Sequence, residues 1–123
     1  MSNTDSKVIG RNSVVRVFGY WPEFSDGEII NISFKKYGDI PNQYSTVEMI
    51  VRYSDNDTSK VADVLFELAK VGKFNFHKLH SQNVIDKLEI NEYENVVHID
   101  IESCIGLEGD CICELLTIKV VEN

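Results

Sequence analysis

Two histidines in His77-Lys78-Leu79-His80 and two cysteines in Cys111-Ile112-Cys113 are the side chains best suited to chemistry in this sequence. A structural zinc site uses cysteine pairs spaced about two to four residues apart, matched by a second pair. Here the two cysteines are separated by a single residue, which on a strand puts both thiols on one face of one edge. The spacing predicts no metal, and no motif calls for another cofactor. In a β-region such cysteines serve as small buried hydrophobes. A cysteine nucleophile needs a histidine base and a third group to orient it. His77, His80 and His98 are available, but nothing around Cys104, Cys111 or Cys113 frames a nucleophile with glycines. The phosphate-cradling G-x-x-x-x-G-K-[ST] loop, the G-x-S-x-G elbow and H-E-x-x-H are all missing. Asp26 and Glu28 form a carboxylate pair of the kind used in acid–base catalysis. Among 20 acidic residues such a pair is expected by chance. These residues predict a protein that catalyses nothing. The competing reading is a small-ligand-binding or metal-dependent enzyme domain built on His77, His80, Asp26 or the cysteines.

Charge points elsewhere. Residues 1–85 hold ten acids and ten bases, whereas residues 86–123 hold ten acids against Lys87 and Lys119 alone. The whole net charge of −8 therefore lies in the last third of the chain. Such a field repels nucleic acid and anionic membranes and favours a basic protein partner. Its plainer use is a solvated face that keeps the domain soluble. No window approaches the ~20 apolar residues of a membrane span, and Met1 to Lys7 is polar with no apolar stretch after it. A cytoplasmic protein with reduced thiols is expected, which also argues against a Cys104–Cys111 disulfide. The length of 123 residues and the 43% hydrophobic content fit one domain over 1–123, with residues 1–10 mobile.

The elements that must carry these residues are mostly strands. Ser13 can cap a short helix bearing Val14, Val15 and Phe18 on one face, with Gly19 as its stop. Pro22 can open a further helical turn, and Asp26-Gly27 is a turn signal. Ile30, Ile32 and Phe34 alternate on a first strand, and Val47, Met49, Val51 and Tyr53 on a second. Residues 59–72 satisfy two periods. Val61, Val64, Leu65, Leu68 and Gly72 fit a helix, the better local reading, while Val64, Phe66 and Leu68 fit a strand. Phe74 and Phe76 continue the alternation on a further strand. Residues 87–102 read as a hairpin turning at Glu94-Asn95. Placing its apolar residues on one face sets Ile90 opposite Ile99 and Leu88 opposite Ile101. The other face then pairs Asn91 with His98, Lys87 with Glu102, and Glu89 with Asp100. Like charges directly opposite one another destabilise a sheet, so a working surface would explain that last pair. Residues 105–110 read as a glycine-punctuated loop before a final strand from Ile112 to Val120. The pattern predicts a mostly β (α+β) fold. Its core is an antiparallel sheet of about six or seven strands, curled or sandwich-like, with one or two short N-terminal helices.

Three segments carry a family resemblance. Gly19-Tyr20-Trp21-Pro22-Glu23-Phe24-Ser25-Asp26-Gly27-Glu28-Ile29 resembles the opening signature of the Immunity protein 50 family, Gly-x-Trp-Pro-x-Phe-His-Asp-x-Glu. Leu79-His80-Ser81-Gln82-Asn83-Val84-Ile85 is similar to that family's Phe-Asn-His-Gln-Asn-Val-Ile. Ile105-Gly106-Leu107-Glu108-Gly109 ahead of Cys111-Ile112-Cys113 is similar to its closing Gly-Leu-x-Gly loop and cysteine-bearing strand. The resemblance implies a bacterial immunity protein that binds a polymorphic toxin and protects the cell producing it. It also implies a strand at Val64–Leu68. Ser25 and Ser81 stand where the family has histidines, which argues further against catalysis or a metal here. The signature residues Trp21, Pro22, Phe24, Asp26, Gln82, Asn83 and Gly106 are expected to be structural. Glu89, Asp100, Glu102, Glu108 and Asp110 are the candidates for binding a basic toxin, for example a nuclease.

Overall fold

The computed structural model describes residues 6–121. Residues 1–5 of the start read as mobile lie outside that range. Within the described part of that start, Val8–Ile9 form a short strand, β1, paired in parallel with the end of the chain, and Val8 is buried. One helix follows, α1 (Arg11–Phe18). Ser13 lies inside it and donates its Oγ hydrogen to the Gly10 carbonyl at 2.7 Å. Gly10, in the left-handed region, takes the N-cap place that the sequence suggested for Ser13. Val14 and Phe18 are the buried face, and Gly19 at φ 86° ends the helix by donating to the Val15 carbonyl. The turn after Pro22 is not helical, so α1 is the one helix among the described residues.

Six long strands complete the fold: β2 (Glu28–Tyr37), β3 (Tyr44–Ser54), β4 (Val61–His77), β5 (Val84–Tyr93), β6 (Val96–Ile105) and β7 (Glu108–Val121). The strand order is β1-β7-β4-β3-β2-β5-β6, and β6 also pairs with β7. That last pairing curls the sheet back on itself around one hydrophobic core. All pairings are antiparallel except β1 with β7. The seam between β2 and β5 is short. It consists of Glu28 opposite Val84, with Ile29 donating to the Asn83 carbonyl and Ile85 to the Gly27 carbonyl.

The ambiguous stretch is strand throughout. Val64, Phe66 and Leu68 are fully buried between Val51, Met49 and Val47 on β3 and Val120, Ile118 and Leu116 on β7. Burial of three large apolar side chains at period two outweighs the weak local helical preference. Phe74 and Phe76 belong to this same strand, past a bulge at Val71–Lys73. A bulge between Ile29 and Asn31 changes the reading of β2. Ile29 is buried, the extra residue Ile30 is exposed, and the inward series resumes at Ile32. The 87–102 hairpin has the register that its apolar face demands, from Lys87 opposite Glu102 to Tyr93 opposite Val96. Glu94 and Asn95 both take positive φ, as a two-residue turn between twisted strands requires. The stretch at 105–110 is shorter as a loop than its glycines suggest. β6 runs to Ile105 and β7 starts at Glu108, leaving Gly106-Leu107 as the connection. Pairing with β4 and β6 recruits Glu108, Gly109 and Asp110 into the ladder.

Candidate functional site

The outward residues of β5, β6 and β7 alternate with the buried Leu88, Val97, Ile99, Ile101, Cys111 and Cys113. Strand register therefore fixes the charged face. Glu89 lies opposite Asp100, and Asp100 lies opposite Asp110, so three carboxylates form one row across three strands. Asn75 of β4 ends the row. The neighbouring level holds Lys87 opposite Glu102, and His77 opposite Glu108. The five acids singled out in the sequence thus share one face of the curled sheet.

They are not equivalent. Asp110 accepts from Asn75 Nδ2 at 3.2 Å, lies 2.9 Å from His98 Nε2 and 3.5 Å from Lys73 Nζ. The His98 hydrogen bond above all, then that of Asn75, holds its carboxyl below the usual range. The other His98 ring nitrogen meets the Tyr93 hydroxyl at 3.1 Å. Glu108 is bonded by Lys78 Nζ at 3.2 Å and Ser103 Oγ at 3.1 Å, and its pKa is lowered by those two contacts. Glu89 has Lys87 at 3.6 Å. Among the described residues Asp100 and Glu102 have no ion-pair partner. The charge without an ion-pair partner is therefore that of half-buried Asp100 and exposed Glu102, with exposed Glu89 beside them, while Glu108 and Asp110 are braced by residues of β4, β6 and Lys78. Of the bracing residues, Lys73, Asn75, Lys78 and Tyr93 were not singled out in the sequence, and His98 only as an available base and as the partner of Asn91. Their signal is the β4–β7 and β6–β7 register, which local patterns do not carry.

A pH dependence follows from the braced acids. A carboxyl whose folded pKa is depressed stabilises the fold above its unfolded value, and that stability is lost as pH falls through the folded value. Asp110, Glu108 and Asp55 all shift downward. Stability is expected to fall below about pH 4. Asp110→Asn is expected to show a shallower loss than the wild type in denaturant titrations between about pH 4 and pH 2.

Most of the signature residues pack in the core or tie its loops together. Asn83 is buried. Its Oδ1 accepts from the backbone of His80 at 3.0 Å and Leu107 at 2.9 Å, and its Nδ2 donates to the His80 carbonyl at 2.8 Å. Gly106, at φ 86°, packs so tightly here that a Cβ would fall 2.3 Å from Asn83 Oδ1. Asn83 and Gly106 thus lock the loop before β5 to the β6–β7 turn. Gln82 is exposed, and its backbone carbonyl is the second wall of that lock. Phe24 is fully buried, with Trp21, Tyr53 and Phe66 edge-on at 5.3–5.4 Å. Pro22 is buried, and Trp21 is half-buried under the Arg11 guanidinium. Asp26 is exposed, and its backbone donates to the Ile85 carbonyl at 2.7 Å.

The residues of the competing enzymatic reading do not converge. Cys111 and Cys113 face the core, where burial pushes their thiols up to about 12 and about 11. His98, opposite Ile112, faces outward and cannot serve them as a base. His80 lies beside Ser81, His77 beside Glu108, and Asp26 and Glu28 line different hollows. Among the described residues no group of three or more His, Cys, Asp or Glu side chains could hold a metal ion. No helix among the described residues is long and apolar enough to cross a membrane. The cysteines are free. With Ellman's reagent near neutral pH, Cys104 alone is expected to react quickly, the other two only after unfolding.

The curled sheet carries a charged outer face over one hydrophobic core. In comparison with protein families, residues 10–123 match Immunity protein 50, and the chain belongs to that family. No curated protein and no solved structure matches the chain.

Proposed function

We propose that this chain neutralises a bacterial toxin by binding it, and that the toxin docks through a basic surface on the face of β5, β6 and β7. Family membership supplies the class of partner. The row Glu89–Asp100–Asp110 carries the choice of face. Glu89 and Asp100, directly opposite one another, repel in the free protein, and Asp110 extends the row beside them. A partner's lysines and arginines relieve that repulsion on binding, so the cost becomes selectivity for a cationic surface. A nuclease fits, because its own surface attracts phosphates. Binding alone accounts for protection, and the protein acts as a cytoplasmic inhibitor with no catalysis and no cofactor.

The test is neutralisation. The cognate toxin expressed alone should stop growth, and co-expression with this chain should restore it. The two should also co-purify at equal stoichiometry. A toxin that remains lethal beside well-folded, abundant protein would refute the reading.

A further inference from the structure

One aromatic stands on the charged face. Tyr93 is the sole Phe, Tyr or Trp in β5, β6 and β7. Glu89, Asn91 and Tyr93 alternate outward along β5, so the ring shares its face with the row Glu89–Asp100–Asp110. The side chain is 54% exposed, and its ring lies 6.2 Å from that of His98, centroid to centroid. A chain of hydrogen bonds holds it. The Tyr93 hydroxyl is 3.1 Å from His98 Nδ1, His98 Nε2 is 2.9 Å from Asp110 Oδ2, and Asn75 Nδ2 is 3.2 Å from Asp110 Oδ1. The direction of each bond follows from the groups. The Asp110 carboxylate only accepts, so His98 Nε2 carries the hydrogen between them. With the imidazole neutral, Nδ1 is bare and accepts the hydrogen of the Tyr93 hydroxyl. The phenolic oxygen then offers lone pairs to a partner and no hydrogen. It can receive a donor and repels an acceptor.

We infer that Tyr93 anchors the toxin, receiving a lysine or arginine side chain of the partner on its ring and phenolic oxygen. The inference rests on docking at the face of β5, β6 and β7, and names the contact that holds the complex once charge has brought it together. Two properties select this residue. An exposed tyrosine offers a large contact surface with few rotatable bonds, and its π face attracts cations as its oxygen does. The hydrogen-bond chain fixes the ring before binding, so less side-chain freedom is lost on association. Around His98 stand Asp100, Asp110 and Lys73, two acids to one base, which suits the same cation. The carboxylates of the row play a different part. Exposed charges set the rate of encounter, whereas an anchor desolvated in the complex sets the rate of escape.

The probe is the cognate toxin of the neutralisation assay. Its dissociation from the wild type, Tyr93→Ala and Tyr93→Phe is followed by displacement with excess unlabelled chain. Tyr93→Ala should dissociate about tenfold faster or more, with an association rate within about threefold of the wild type. Tyr93→Phe keeps the ring and loses the oxygen, so its dissociation rate should fall between the other two. Melts of the free variants should stay close to the wild type, because half of this side chain is already in solvent. A Tyr93→Ala variant that melts early but releases the toxin at the wild-type rate would make the residue structural and overturn the inference. A Tyr93→Phe variant that releases it at the wild-type rate overturns the part given to the oxygen. Joint reversal of Glu89, Asp100 and Glu102 to Lys separates the anchor from the docking reading. If that reversal slows association while Tyr93→Ala changes nothing, the face stands and the anchor falls. If neither has an effect, the toxin docks elsewhere and both fall.

Discussion

Phe24→Ala is expected to destabilise the protein by about 3–5 kcal/mol, the range for removing a fully packed aromatic. That is a large share of the 5–15 kcal/mol typical of a whole domain. Three rings close on Phe24, and the segment that holds it feeds β2 and the β2–β5 seam. Its backbone sits at φ 61°, a conformation costly to a bulky side chain and sustained here by burial on every side. Denaturant melts should show the midpoint moving far below that of the wild type. Trp21→Ala should cost less, because the indole is only half-buried and contributes one edge-on contact to Phe24. A Phe24→Ala variant that melts like the wild type would remove Phe24 from the frame.

Gly106→Ala is expected to cost about 2–5 kcal/mol. A left-handed conformation for a residue with a Cβ costs ~1–2 kcal/mol, and disturbing the buried Asn83 amide costs ~1–3 kcal/mol more. The added carbon would meet Asn83 Oδ1 and the Gln82 carbonyl together, so backbone must move. Asn83→Ala should cost a similar amount by stripping the partner from the buried Leu107 N–H. The two costs should not add, since both changes break one lock. Chemical denaturation of the two single variants and the double variant measures this. Fully additive losses would show that Asn83 and Gly106 act separately.

Local periodicity carried the strands with clean alternation. The 87–102 hairpin is the clearest instance: one requirement, apolar residues on one face, set every pair from Lys87–Glu102 to Asn91–His98. Residues 59–72 were legible only through the family resemblance, because their apolar spacing satisfies both periods and tertiary burial decides. The bulge at Ile30 was not legible, since an extra residue in a ladder is fixed by the partner strand. Ser13 misled because its side chain suits a cap, while Gly10 offered a left-handed conformation one turn earlier. For the candidate face, the sequence supplied the acids and the Glu89–Asp100 pair. It did not supply Asp110 as their third neighbour, or Lys73, Asn75, Lys78 and His98 as their braces. Those contacts cross between strands distant in the chain, where no spacing rule reaches.

The acidic face carries the account, and the rate at which the toxin associates tests it most directly. Rapid-mixing measurements should compare the wild type with a variant carrying Glu89→Lys, Asp100→Lys and Glu102→Lys, each at rising salt. Single exposed pairs are worth only about 0–1 kcal/mol, so the three are reversed together. A steered encounter should slow about tenfold or more on reversal, and the wild-type rate should fall steeply as salt screens the field. An association rate indifferent to both salt and the triple reversal would contradict docking on this face.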